Sequence, residues 1–329
     1  MQKTLYGGVL FSVLVLFTAC LSKSEHVEVP VLLTPIHQAT LADLVTIVNQ
    51  YKAIHTLTAR LDLQFQTEKE IDRGIGRRWR TAEGRILVAR PAKIRLLIQA
   101  PLVKTNIAEM ASDGTHFQVI LYPRDVRTFI HGTIQSLAAE VPEQYEPTGR
   151  RREAGAFSRV RPNHFTEALL IPPIDLDDPS ILLTKEEVRL TEPSAGHRGS
   201  RRARVIRTYW VISVMRKGPG NEAALQRKYW FDATQDLPLV REQFFNPTGA
   251  LLADIWFKEF VRPAQFNGPV PTRIVLRRPH DRYSVSLALH ASSLSINIEP
   301  PDRAFRLEKP SSWGDEVETI DLDKQGQMR

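Results

Sequence analysis

From Arg85 to Pro123 the chain reads RILVARPAKIRLLIQAPLVKTNIAEMASDGTHFQVILYP, a pattern that suits strands and little else. Ile94, Leu96 and Ile98 fall on one face, and Lys93, Arg95 and Gln99 fall on the other, because successive side chains of a strand alternate. Phe117, Val119 and Leu121 repeat the pattern after the turn residues Asp113 and Gly114. Pro91 and Pro101 stand between the runs, where a missing N–H removes no ladder hydrogen bond. The stretch therefore predicts a meander of four antiparallel strands with one apolar face, and that face needs a cover.

The flanks extend the same sheet. His55 to Thr67 alternates, with Leu57, Ala59, Leu61, Leu63 and Phe65 facing one way. A basic connection around Lys69 to Arg78 leads into the central stretch, and Arg124 to His131 adds a short strand. After Ile181 the alternation resumes through Leu182–Leu190, Arg204–Arg216, Leu225–Phe231, Leu239–Asn246, Leu251–Phe260, Val270–Arg278, Arg282–His290 and Leu294–Ile298, with turn signals between several of them. About a dozen strands in one meander predict a mainly β (α+β) fold: a single large curved antiparallel sheet or open half-barrel. Two helices are expected over its concave face. Thr40, with Asp43 three residues on, marks a helix start, and Leu41, Leu44, Val45, Val48, Tyr51 and Ile54 share a helical face. Within the proline-punctuated insertion 138–180, Pro162 to Ile171 reads as a short helix with Phe165, Leu169 and Leu170 on its apolar side. A long irregular connection carrying one apolar helix suits a lid, the alternative being a helix that only closes the core.

The first residues carry an address. Lys3 and the apolar run Leu5 to Ala19 form a signal peptide over 1–19, too short for a comfortable bilayer span. It ends Phe17-Thr18-Ala19-Cys20, and Cys20 is the single cysteine of the 329 residues. Small residues before a cysteine resemble the lipobox of bacterial lipoproteins, which makes Cys20 the lipidation site and 20–38 a lipidated tether. The other alternative is a chance cysteine in an ordinary secretory signal. With Leu21 and Ser22 following, and no Asp after the cysteine, sorting rules of the enterobacterial kind imply outer-membrane retention. From Phe305 the chain is expected along the outside of the domain, which spans 39–320 and leaves 321–329 as a polar tail.

Catalytic and metal signatures are weak. No G-x-S-x-G elbow, H-E-x-x-H helix or phosphate-cradling glycine loop occurs. His116, His131 and His290 are isolated in sequence and read as surface or rim residues. Asp175, Asp177 and Asp178 lack the spacing of a calcium loop and read as a solvated turn. The basic runs Arg150–Arg152 and Arg198–Arg207 are solvated loops or contacts for anionic headgroups. A formal charge of +7, with an export signal, gives no nucleic-acid footprint. The expectation is no enzyme, no metal and no cofactor.

Several short motifs, in order, resemble the LolA/LolB superfamily of bacterial lipoprotein carriers. They are the amphipathic helix, Gly84-Arg85-Ile86-Leu87-Val88-Ala89-Arg90-Pro91, Ser112-Asp113-Gly114, a strand ending Tyr122-Pro123, and Phe305-Arg306-Leu307-Glu308-Lys309-Pro310. The resemblance spans about residues 40 to 320. It implies an incomplete antiparallel barrel with helices as a lid over an apolar cavity for lipoprotein acyl chains. It also implies that Arg90, matching the arginine of the family's Arg-Pro pair, latches the lid by hydrogen bonds. The residues alone leave two placements for Arg90. It shares a face with Ile86 and Val88, so its guanidinium meets carbonyls or a carboxylate at the concave side, or it reaches solvent from a strand end. The expected cavity wall is Ile94, Leu96, Ile98, Phe117, Val119, Trp210, Ile212, Ile255, Phe257, Ile274, Leu276, Val285 and Leu287. The expected activity is acyl-chain binding and the carriage or acceptance of lipoproteins or other lipids at the outer membrane. The expected partners are those acyl chains, the membrane through the lipid anchor, and a periplasmic carrier. The alternative on the same fold is a non-transferring sensor that recognises a protein tail or glycolipid, and a titratable cluster inside the cavity would instead favour a hydrolase.

Overall fold

The computed structural model describes residues 29–67, 81–124, 126–134, 161–193, 204–314 and 317–327. Cys20, the connection Lys69–Arg78, residues 138–160 of the insertion and residues 198–203 of the second basic run lie outside them. The chain divides into two compact units, Met1–Leu33 with Leu190–Arg207, and Thr34–Arg189 with Thr208–Arg329. In the smaller one, strand β1 (Val31–Leu32) runs parallel to Val205 and Ile206, and Leu33 N–H donates to the Ile206 carbonyl at 2.9 Å.

The larger unit is built on a sheet. Six strands follow one another as hairpins: β2 (Thr56–Thr67), β3 (Thr81–Ala89), β4 (Lys93–Gln99), β5 (Asn106–Ser112), β6 (His116–Leu121) and β7 (Thr128–Thr133). After β8 (Ile181–Pro193) come β9 (Arg204–Lys217), β10 (Ala223–Asp232), β11 (Leu239–Phe245), β12 (Leu251–Val261), β13 (Val270–Arg278) and β14 (Tyr283–Leu289), again neighbour on neighbour. Pairing of β14 with β2 joins the two meanders into one curved sheet that does not close. A short β15 (Ser295–Ile296) adds to β2, and β16 (Glu318–Asp321) runs parallel beside β7. The sheet is therefore mixed, not wholly antiparallel as the sequence suggests. β16 does not reach β7 through a hairpin, and a long connection can deliver a strand in either direction.

Alternation decides the faces. On β4, Ile94, Leu96 and Ile98 are buried, while Lys93, Arg95, Leu97 and Gln99 are half-buried. Leu57, Ala59, Leu61, Leu63 and Phe65 of β2, Ile86 and Val88 of β3, and Tyr283, Val285, Leu287 and Leu289 of β14 continue the apolar face. A β-carbon on Gly84 would collide with the Leu97 carbonyl, so only glycine lets β3 and β4 approach here.

Two helices cover that inner face. Helix α1 (Leu41–Gln50) starts at a complete capping box: Asp43 N–H donates to Thr40 Oγ1 at 3.2 Å, and Thr40 N–H to Asp43 Oδ2 at 2.8 Å. Its Leu44, Val45 and Val48, with Tyr51 just beyond, pack into the same apolar cluster as the strands. Helix α2 (Pro162–Leu169) lies against β3, β4 and β5, with Phe165, Ala168 and Leu169 buried. Each large aliphatic side chain so buried contributes roughly 1.5–3 kcal/mol.

The outer face has its own cover, as the sequence expects. Arg95 Nη1 donates to the carbonyls of Ala304 at 3.2 Å and Arg306 at 2.8 Å, and Gln118 Oε1 accepts from Leu307 N–H at 3.2 Å. Trp313 sets its edge against Tyr122, and the Arg127 guanidinium stacks over it. The span read as a polar tail carries helix α3 (Leu322–Gln327), where Asp323 accepts from Thr133 N–H and Oγ1 at 3.1 and 2.8 Å.

Candidate functional site

Arg90 follows the last residue of β3 and reaches both covers. Its Nε donates to the Ile54 carbonyl at 2.9 Å and its Nη2 to the Tyr51 carbonyl at 2.9 Å, both at the exit of α1. The same Nη2 donates to Ile171 at 2.9 Å, and Nη1 points at Leu170 at 3.4 Å, both just past α2. Of the two placements open from the sequence, the guanidinium takes the one among carbonyls. Helix ends leave such carbonyls without intrahelical partners, and a planar five-donor fork serves several at once. Burial holds the pKa of Arg90 below its ordinary value, yet an arginine in this setting stays charged.

The segment after α2 is fastened at two further points. Asn49 and Ile174 exchange a reciprocal pair, Nδ2 to the Ile174 carbonyl at 3.1 Å and Ile174 N–H to Oδ1 at 2.7 Å. Tyr229 Oη donates to the Pro172 carbonyl at 3.0 Å. Residues 170–174 are thus held by α1, by the end of β3 and by β10.

A polar cluster ties α2 itself to the sheet. His164 Nδ1 shares a short hydrogen bond with the buried Tyr283 hydroxyl, and its Nε2 faces Asp281 Oδ2 at 4.0 Å. Arg278 pairs with Asp281 at 2.8 Å and approaches Glu167 of α2 at 3.9 Å. Burial, with the charges of Arg278 and Arg161 beside it, holds His164 neutral well below the usual histidine range. Burial also raises Glu167, against the pull of Arg278.

Glu242 on β11 is the unexpected member. It is 0 % exposed, it lies directly across the β10–β11 ladder from Tyr229, and neither carboxylate oxygen has a hydrogen-bond partner. Burial pushes its pKa up to about 8 and Glu167 adds to the rise, while Arg227 and the nearby Tyr229 hydroxyl pull it down. Arg227, a diagonal neighbour, lies over the Phe244 ring with its Nη1 3.5 Å from Tyr229 Oη.

Eleven of the thirteen expected wall residues belong to the inner cluster: Ile94, Leu96, Ile98, Trp210, Ile212, Ile255, Phe257, Ile274, Leu276, Val285 and Leu287. Val119 is only half-buried against it, and Phe117 is buried but outside it. The lid-helix residues Phe165, Leu169 and Leu170 fill the same cluster, so these wall residues meet helix side chains and one another. A separate recess of about 310 Å³, lined by Thr58, Ala59, Arg60, Arg85 and Ser293, has a more polar lining than that wall.

The scattered histidines have separate partners, although the register makes His116 and His131 diagonal neighbours on one face of β6 and β7: His116 lies 3.8 Å from Asp113, the His131 ring is tilted against Phe129, and His290 bonds Asp62 at 3.1 Å. Asp175 and Asp178 accept turn hydrogen bonds from Asp177 N–H and Ser180 N–H. Among the described residues no His/Cys/Asp/Glu group is placed to hold a metal ion, and no helix is long and apolar enough to cross a membrane. Sequence reasoning missed Asn49, Arg227, Tyr229, Glu242, His164 and Tyr283. For Glu242 a signal existed, since it is in phase with Phe244 on β11.

No family model matches the chain, and no curated protein matches its sequence. Solved structures do resemble it at low identity. A LolA superfamily protein from Nitrosomonas europaea aligns over 80% of this chain and 96% of its own at 11% identity, with a TM-score of 0.39. A DUF1329 family protein from Desulfovibrio piger aligns over 80% and 95% at 11% identity, TM-score 0.41. A putative outer membrane lipoprotein-sorting protein domain from Vibrio parahaemolyticus aligns over 79% and 95% at 12% identity, TM-score 0.37.

Proposed function

We propose that this protein is a bacterial envelope lipoprotein, anchored to the outer membrane through Cys20, that binds acyl chains on the inner apolar face and carries or accepts lipidated cargo. The observation that carries the reading is Arg90: one guanidinium holds the exit of α1 and the segment after α2 together over that face. A few carbonyl hydrogen bonds, each contributing about 1.5–3 kcal/mol when the donor is charged, form a closure strong enough to persist and weak enough to be exchanged. Each CH₂ of an acyl chain moved from water into the vacated space gains roughly 0.8 kcal/mol. A chain of ordinary length thus repays both the broken latch and the displaced side chains of Phe165, Leu169 and Leu170. Release then needs a membrane or a partner carrier as a competing apolar phase. The protein acts by binding, with no bond made or broken.

A second reading is favoured by the packing. The inner face is filled by the protein's own helices, which suits a sensor that recognises a protein tail or glycolipid without transferring lipid. The hydrolase reading gains little from the cluster around α2, because His164 Nδ1 is committed to Tyr283 rather than to a nucleophile.

Mass spectrometry of lipids co-purified with the protein separates the first two. Bound diacyl or triacyl species, lost in Leu96→Asp or Leu276→Asp, support the carrier. A protein that stays empty and takes up no acyl chain after Arg90→Leu opens the latch supports the sensor. Mass analysis of the mature N-terminus, with Cys20→Ser as control, tests the anchor.

A further inference from the structure

We infer that Glu242 is a polar anchor inside the acyl-binding face, placed to receive an N–H or O–H donor at the head of a bound chain, so that the protein prefers amide-linked acyl groups. The inference rests on the acyl-binding reading above and names the ligand class for the same site.

Glu242 sits where a structural residue would be apolar. Its ladder partners are Tyr229 and Ile255, both buried in the inner cluster, and Phe244 follows it on the same face. Both of its oxygens are buried and without a hydrogen-bond partner. Tyr229, the hydroxyl best placed to help, gives its proton to the Pro172 carbonyl instead. Arg227 is engaged with the Phe244 ring and the Tyr229 oxygen. A buried acceptor left without a donor destabilises the closed state, and a leucine of similar volume would avoid that cost. Features that violate local stability rules in this way concentrate at functional sites.

The missing donor has an obvious direction of supply. Pro172 belongs to the segment that leaves α2, the same segment that Arg90 and Asn49 fasten. When a chain displaces this cover, Glu242, Tyr229 and Arg227 become exposed polar groups in the wall, as does the Tyr283 hydroxyl that His164 of α2 now holds. The groups facing Glu242 are Arg227 and Tyr229 from β10 and Glu167 from α2. Burial favours the neutral carboxyl, which retains a carbonyl oxygen to accept an N–H. Arg227 has N–H groups left for the ligand's carbonyl. A secondary amide brings one donor and one acceptor, an ester only the acceptor.

The test uses the full chain and two probes that differ in one atom pair, N-methyldodecanamide and methyl dodecanoate, each competing with a fluorescent fatty acid. In a purely apolar pocket the ester binds more tightly, because an amide loses more hydration on transfer. Wild type is expected to reverse that order, preferring the amide about tenfold. Glu242→Leu is expected to bind both probes with the ester ahead, while Glu242→Gln, which keeps an acceptor oxygen, retains the amide preference. Wild type with the ester ahead overturns the anchor while leaving acyl binding intact, and so does Glu242→Leu with the amide preference unchanged. Failure of both probes to bind wild type overturns the acyl-binding reading and the anchor with it.

Discussion

At the scale of single residues, the two that matter most differ in how visible they are in the sequence. Arg90 was legible because its parity with Ile86 and Val88 placed it on the inner face, where a charged group must find acceptors. Glu242 was only half visible: it is in phase with Phe244, but LVREQFF carries apolar residues in both phases, so which face is buried is open until the register is known. Arg90→Leu removes the donors shared by Tyr51, Ile54 and Ile171, and should lower stability by about 1–3 kcal/mol for each carbonyl left without a donor. Arg90→Lys should restore less than half of it, since one ammonium cannot span the same carbonyls. Urea unfolding reads both, and faster hydrogen exchange across 161–174 would locate the loss in the cover. Glu242 gives a pH prediction. Its folded pKa of about 8 lies above the usual 4.5, so its contribution is fully present below about pH 4.5 and is lost as pH rises through about 8. His164 has the opposite sign: its depressed pKa favours the fold above about pH 6.5, and that contribution is lost as pH falls below it. The stability of Glu242→Leu relative to wild type should therefore increase from about pH 4.5 to about pH 8, by up to about 1.4 kcal/mol per unit, and level off above that. A flat difference across that range would mean that the carboxyl is solvated in solution.

Elements were legible wherever a period was long enough to read. The alternation of β2 to β7 and the 3.6-residue spacing of α1 survive in the structure because each face is buried against something that tolerates no slip. The capping box of α1 was readable from Thr40 and Asp43 alone, and both of its hydrogen bonds are present. Thr40→Ala should cost about 1 kcal/mol, measured by chemical unfolding, with the start of α1 exchanging faster. Short elements were not legible. β1 has two residues and β16 has four, and neither carries enough alternation to distinguish a strand from a loop. Helix α2 sits between these cases: its apolar side was visible, but its tie to β14 through His164 and Tyr283 joins residues 119 positions apart. Phe165→Ala removes the largest side chain that α2 buries and should cost about 3–5 kcal/mol. In a carrier that loss should also raise the rate of acyl uptake, which stopped-flow fluorescence would resolve, whereas in a packed sensor it should only destabilise.

For the whole molecule, local signals predict two meanders but not how they join. The β14–β2 pairing that makes one sheet of them links Tyr283–Leu289 to Leu61–Thr67, and no turn residue announces it. The same holds at the far end, where the chain crosses the outer face of β4 to β6 before β16 settles against β7. That final strand has a job that can be tested. Without it, the backbone groups of Thr128 to His131 that now pair with Glu318 to Asp321 would stand open, next to an apolar surface that buries Ile120, Val317 and Ile320. An open edge of this kind recruits the nearest complementary strand, often from a second copy. Ending the chain after Pro310 keeps the bonds from Arg95 to Ala304 and Arg306 but removes Trp313, β16 and α3. The shortened protein should associate with rising concentration in sedimentation experiments while keeping its inner face intact, as judged by unchanged binding of a fluorescent fatty acid. Association together with lost binding would show instead that the two faces of the sheet are one cooperative unit. A shortened chain that stays monomeric would mean that β7 protects its own edge.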